Sequence, residues 1–202
     1  MAQPGNEFEY GSGRLNATKV LDPGLIYETG HQDYIDYMCK QGYNTQMLRS
    51  HVGSHDIDCS RTKIDLNADL NYPTMTARVD INTKFTKVFY RTVTNVGDPN
   101  STYLGEIKFQ VEKYFEAEIT VEPKQLHFDE SGNTKTFTVN VTGESKLNMN
   151  FKNSFMTNNT WLTWREMDGS RQVRSPIVIY SITNSTHACR KFHKNKFKLP
   201  LS

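Results

Sequence analysis

Nothing in the 202-residue sequence approaches the roughly 20 consecutive apolar residues that a membrane-crossing helix needs. No membrane partner is expected, and the mean hydropathy of −0.65 agrees. Cysteine is scarce, with three residues, which excludes the cysteine-dense scaffold of very small secreted domains. An excess of one charge is also lacking. The net charge is +2, and the five cations Arg190, Lys191, Lys194, Lys196 and Lys198 fall in 184–202 with no acid among them; setting them aside leaves −3 for the rest. A nucleic-acid surface needs clustered Lys and Arg to neutralise phosphates, and no such cluster precedes that tail. Residues 184–202 read as a solvated, disordered end, with His187, Cys189 and His193 as stray side chains within it. The opening Met1–Glu7 has neither the positive nor the apolar stretch of a secretory leader, so secretion is not expected to start from it.

Large side chains are plentiful, with eleven Phe, ten Tyr and two Trp, enough to close one core. Residues 1–30 are rich in Gly, Pro and polar residues and read as loops that lie on something else. Tyr34, Tyr37 and Met38 then recur at helical spacing between His31 and Lys40, with Gly42 as a stop, and a second short helix is expected over Thr45–Ser50. After Leu66 the period becomes two. Phe89, Arg91 and Val93 oppose Val88, Tyr90 and Thr92; Ile107, Phe109 and Val111 share a face, as do Ile119 and Val121. Phe137, Val139 and Val141 alternate with Thr136, Thr138 and Asn140, which puts Asn140 on the solvent side.

Turns are expected at Gly97-Asp98-Pro99-Asn100, Glu122-Pro123-Lys124, Ser131-Gly132-Asn133 and Asp168-Gly169-Ser170. Six to eight short strands without intervening helices, all antiparallel, make the fold class mainly β, an immunoglobulin-like or fibronectin III-like β-sandwich. Pro73, Pro123 and Pro176 should lie at strand ends or edges, because proline has no ladder donor.

Three strings in order carry a family resemblance. They are Gly11-Ser12-Gly13 through Asp22-Pro23-Gly24-Leu25-Ile26-Tyr27, then Asp69-Leu70-Asn71-Tyr72-Pro73-Thr74, then Arg91-Thr92-Val93-Thr94-Asn95-Val96-Gly97. Asp33-Tyr34-Ile35-Asp36-Tyr37-Met38-Cys39 and Arg174-Ser175-Pro176-Ile177 add to them. Together they resemble the C-terminal part of plant, cucumisin-like subtilisin proteases, with departures at Arg14, Ala17 and Thr74. The resemblance implies that residues 1–67 are the last piece of an α/β subtilisin catalytic domain with a short helix. It further implies that 68–183 are a fibronectin III-like domain that supports the fold of the parent protease. The partner so implied is the parent's catalytic domain, and the implied location is the extracellular space or apoplast.

The family takes its Asp, His and Ser from strings of the type Asp-Ser/Thr-Gly, His-Gly-Thr-His and Gly-Thr-Ser-Met, none of which occurs in this sequence. No catalytic, metal or cofactor-binding residue is therefore carried over, and the chain by itself is expected to be inactive. A stand-alone β-sandwich interaction module is the alternative. It would use an exposed edge strand, or Phe8, Tyr10, Tyr27, Tyr34 and Tyr37 as an apolar patch.

Two local patterns invite chemistry. Ser54-His55-Asp56 places three triad residue types side by side, but consecutive side chains diverge and cannot line up as nucleophile, base and orienter. Cys39, His51, His55 and Cys59 have two i, i+4 steps, so a metal site stands beside a Cys39–Cys59 disulfide and a pair of free thiols as readings of the same residues. Five N-x-[ST] sequons, at Asn16, Asn100, Asn140, Asn158 and Asn184, are candidate glycosylation sites and fit a chain adapted to the secretory pathway.

Overall fold

The computed structural model describes residues 11–12, 15–54, 56–62, 69–109, 115–145, 155–169 and 171–182. Nine strands lie among them: β1 Leu25–Ile26, β2 Met75–Arg78, β3 Lys84–Asn95, β4 Ser101–Phe109, β5 Phe115–Glu122, β6 Gln125–Phe128, β7 Thr134–Ser145, β8 Phe155–Glu166 and β9 Gln172–Ile182. Sheet order is β1-β3-β7-β5 in one layer and β2-β9-β8-β4-β6 in the other. The inward residues of both layers form the core, with Phe137, Val139 and Val141 facing Trp164, Ile177 and Ile179. Phe137 meets Trp164 edge to face at 5.1 Å between ring centres. The alternation read along β3, β5 and β7 therefore sets which side of each strand is buried.

Two expectations are corrected. Not every pair is antiparallel: β2 runs parallel to β9, from Met75 opposite Ile177 to Arg78 opposite Tyr180. Pro176 lies inside β9 rather than at its end, and it is tolerated because the β2 pairing begins one residue later. Ile107 and Phe109, two apart in an unbroken ladder with β8, share a face as expected, Ile107 packing on the core and Phe109 exposed at the end of β4; Val111 lies outside the described residues. The turns fall where Gly97–Asn100, Pro123, Gly132 and Asp168-Gly169 predict them.

Two helices lie between β1 and β2, α1 His31–Lys40 and α2 Thr45–Val52, followed by a 3-10 turn at Cys59–Arg61. Asn44 caps α2 by accepting from the Met47 N–H at 2.9 Å, and Gly53 ends it in the left-handed conformation at φ 72°. The inward residue of α1 is Ile35, not Tyr34, which stays exposed. Ile35, Leu48 and Ile57 form a small core of their own, with Met38, Cys39 and Cys59 against it. Among the described residues no helix is long and apolar enough to cross a membrane.

Candidate functional site

Arg91 points inward from β3, between Phe89 and Val93, and its side chain has no solvent exposure. A buried guanidinium costs several kcal/mol unless its donors are met. Here they are met by the string that precedes β2. Arg91 Nε donates to the Tyr72 carbonyl at 2.7 Å; one terminal nitrogen donates to the Asp69 carboxylate at 2.8 Å and to the Thr74 carbonyl at 3.3 Å. The other donates to the Tyr90 carbonyl at 2.8 Å, and the guanidinium carbon lies 5.7 Å from the centre of the Phe89 ring.

Asn71 adds a second stitch. Its side-chain nitrogen donates to the Glu28 and Thr92 carbonyls, both at 2.9 Å, while its side-chain oxygen accepts the Thr92 N–H at 2.9 Å. Three segments distant in sequence thus share one amide. Thr29 donates to the Asn71 carbonyl at 2.7 Å, and Thr94 donates to the Glu28 carboxylate. The Tyr27 hydroxyl shares a 2.7 Å hydrogen bond with Ser175 on β9, and its ring meets Phe137 edge-on. Burial pushes the Tyr27 phenol up, opposed in part by the Ser175 hydrogen bond. Tyr27 therefore belongs to the sandwich and is not part of an exposed patch. It is carried there by β1, which pairs with Asn95 and Thr94 of β3.

A charged clasp closes one end of this seam. Arg171, just before β9, donates to Asp22 at 2.6 Å, Asp98 at 2.8 Å and Glu166 at 2.9 Å. Hydrogen bonds to Asp22 and Asp98 push the Arg171 pKa further up, and Glu166 adds to them. Glu166 is nearly buried, whereas Asp22 and Asp98 face water, so Glu166 is the acid whose pairing matters most. Gly24 lies under the clasp at φ 79°, where a Cβ would come within 2.7 Å of the Tyr103 hydroxyl. Burial, reinforced by Glu166, pushes that hydroxyl up to about 12.

Residues 69–179 match the fibronectin type-III domain family model. The chain belongs to that family. Its fibronectin type-III domain begins at the residue, Asp69, that Arg91 holds. Over 184 residues the chain is 68% identical to subtilisin-like protease SBT4.1 of Arabidopsis thaliana, covering 90% of this chain and 24% of that relative. It is 41% identical over 179 residues to SBT4.3 and 37% over 176 residues to SBT4.13, both of the same plant, covering 89% and 87% of this chain and 23% and 22% of those relatives. The chain thus spans about a quarter of the length of the curated relatives it matches. The resemblance to the C-terminal part of a plant subtilisin-like protease stands with these matches.

Ahead of the fibronectin type-III domain, the structure joins Cys39 and Cys59 by a disulfide with the Cα atoms 5.5 Å apart. Sulfurs bonded to each other offer no thiolate to a metal. His51 bonds the Met47 carbonyl at 2.7 Å through its ring, and His55 lies outside the described residues, as do Phe8 and Tyr10. Of Ser54-His55-Asp56, the ends are linked by a 3.3 Å bond from the Asp56 N–H to the Ser54 hydroxyl, a local turn.

Asn16 and Asn100 are exposed, the first in a turn where its side-chain oxygen accepts from the Thr18 N–H and hydroxyl, the second left-handed at φ 56° before β4. Asn140 is half-buried on the outer face of β7. Asn158 lies opposite Ile179 in β8 with its side chain outside the described residues, and Asn184 lies outside them altogether.

Sequence reasoning missed one line of hydroxyl, imidazole and carboxylate. Thr102 bonds His127 at 2.9 Å, and His127 reaches Asp129 at 3.1 Å. Cross-strand pairing of Thr102 with His127 creates it, a register that no linear motif carries. Both ionisable groups are more than half exposed, in the high-dielectric surroundings where a base is weakly oriented and an oxyanion poorly stabilised. The arrangement is a surface pair. At the seam, by contrast, Arg91 and Arg171 are each held by carboxylates and, for Arg91, backbone carbonyls, so its chemistry is that of a fastening.

Proposed function

We propose that this chain is the non-catalytic C-terminal part of a subtilisin-like serine endopeptidase. Its fibronectin type-III domain supports the protease fold by fixing the segments that lead into it. The observation that carries this reading is the double stitch of Arg91 and Asn71. They bind residues 28 and 69–74 to β3 so tightly that the preceding chain and the sandwich cannot separate without orphaning buried carbonyls. The partner is the catalytic domain of the parent, and the working location is the extracellular space, a reading that the five sequons favour. Neither a cofactor nor a metal enters this role.

The test is complementation. The catalytic portion of the 68% identical relative, produced without the matching region, should gain labelling by a fluorophosphonate when this chain is co-expressed. The chain alone should not label. Labelling of the chain itself, or full activity of the truncated relative without it, overturns the reading. A stand-alone interaction module is the second reading, favoured by the exposure of Leu15 and Leu21; it predicts no gain of labelling together with capture of an unrelated protein.

A further inference from the structure

We infer that Asn140 is an N-glycan acceptor whose sugar lies across Val88 and Tyr90 of the neighbouring strand. This goes beyond the supporting role proposed above and does not depend on it. The sequon Asn140-Val141-Thr142 lies inside β7, the second-from-edge strand of the four-stranded sheet. In a strand, residues two apart share a face, so Asn140 and Thr142 both point outward while Val141 between them is wholly buried. The register therefore cannot slip without bringing Val141 into solvent. Among the described residues no hydrogen bond engages the Asn140 amide, in contrast to Asn16, whose side-chain oxygen is held by Thr18.

The outer face of this sheet is built largely of threonine, including Thr92, Thr136, Thr138 and Thr120. Glu118 and Glu122 of β5 also lie on this face, and its exposed large apolar residues are Val88, at 38% exposure, and Tyr90, at 44%. Val88 is the direct cross-strand partner of Asn140, and Tyr90 is the partner of Thr138, one step along the same face. Direct partners have Cβ atoms about 5 Å apart and diagonal ones about 7 Å, within the span of the first sugar units. The apolar C–H face of a pyranose ring can stack on the phenol of Tyr90 and remove it and Val88 from water. The occupant of this apolar spot is thereby named by the residue beside it.

Acceptance would proceed on a lipid pyrophosphate-linked oligosaccharide. The Asn140 side-chain nitrogen bonds to the anomeric carbon, and the bond from that carbon to the pyrophosphate oxygen breaks. The lipid pyrophosphate leaves with the electron pair, and the amide proton passes to a base of the transferase.

The full chain, sent through the secretory pathway of plant cells by an added cleavable leader, gives a direct test. Because the leader supplies the route, the outcome is independent of where the chain normally resides. Enzymatic release of N-glycans in heavy-oxygen water should convert Asn140 to labelled Asp in the tryptic peptide between Lys135 and Lys146. Thr142→Ala should abolish that conversion while leaving Asn140 in place. Release of the sugar from the native protein should raise the fluorescence of an apolar dye severalfold, and the Val88→Thr/Tyr90→Thr variant should lack the increase. An unmodified Asn140 in the secreted protein overturns the site. An equal dye response in both proteins overturns the covering role.

Discussion

The Arg91 guanidinium, wholly shielded from solvent, donates at 2.8 Å to the Asp69 carboxylate, which is 41% exposed. The two ends of this pair therefore contribute unequally. Replacing Arg91 by Met leaves the Tyr72 and Thr74 carbonyls without a donor and should cost about 3 kcal/mol. Asp69→Asn loses only a water-screened charge and should cost about 1 kcal/mol or less. Arg91→Lys should recover little, since a compact ammonium cannot replace a planar fork. Urea unfolding midpoints order the three variants, and equal losses from Met and Asn would contradict the assignment.

Gly24 and Gly132 both have positive φ, at 79° and 87°, but only Gly24 lies against neighbours. Alanine at either position pays the left-handed cost of about 1 kcal/mol. Gly24→Ala should lose a further 1–3 kcal/mol, because the added methyl meets the Tyr103 hydroxyl and the Arg171 side chain. Comparing thermal midpoints of the two variants isolates the steric part.

The disulfide joins α1 to the 3-10 turn across a sequence separation of 20 and lies beside a core of three residues. Cross-linking a loop of that length is worth about 3 kcal/mol, which a core so small cannot replace. Reduction, or the Cys39→Ser/Cys59→Ser variant, should release amide protection over residues 35–57 and leave the strands protected. Hydrogen exchange read by mass spectrometry distinguishes this from global unfolding.

Tyr27 and Tyr103 are both held protonated by burial, Tyr103 up to about 12. The unfolded chain releases these protons near pH 10 while the folded one retains them, so folding is favoured below that pH and loses ground as pH rises from about 10 to 12. Melting temperatures should fall across this window. Tyr103→Phe should flatten the fall, and ultraviolet titration should show two phenols ionising late.

Much of the sandwich can be read directly from residue order, because a strand with one wet face must alternate. Phe137, Val139 and Val141 declare their side, and Asp168-Gly169 declares its hairpin. Arg91 alternates into the core at its proper position, yet nothing local explains why an arginine belongs there. Its reason lies about twenty residues upstream, in carbonyls that become acceptors only when 69–74 folds over β3. Tyr27 misleads for the opposite cause: it follows a two-residue strand too short to show a period, so its burial depends wholly on tertiary packing. The parallel pairing of the four-residue β2 is equally silent, since four residues fit either direction. The Arg171 clasp gathers acids from three segments distant in sequence, around Asp22, Asp98 and Glu166, and has no linear signature.

Strand β9 and the residue before it receive several segments from early in the chain. Tyr27 waits for Ser175 at a separation of 148 residues, Asp22 for Arg171 at 149, and Val79 for Ser181 at 102. On the ribosome these early segments emerge without their partners, and long loops must close before such contacts repay their entropy. The clasp can form only after synthesis has passed residue 171, and the parallel pair is complete only after residue 180. A nascent chain stalled before β9 would present a sandwich with its central gap open, and its release in that state would hand β8 to any strand nearby.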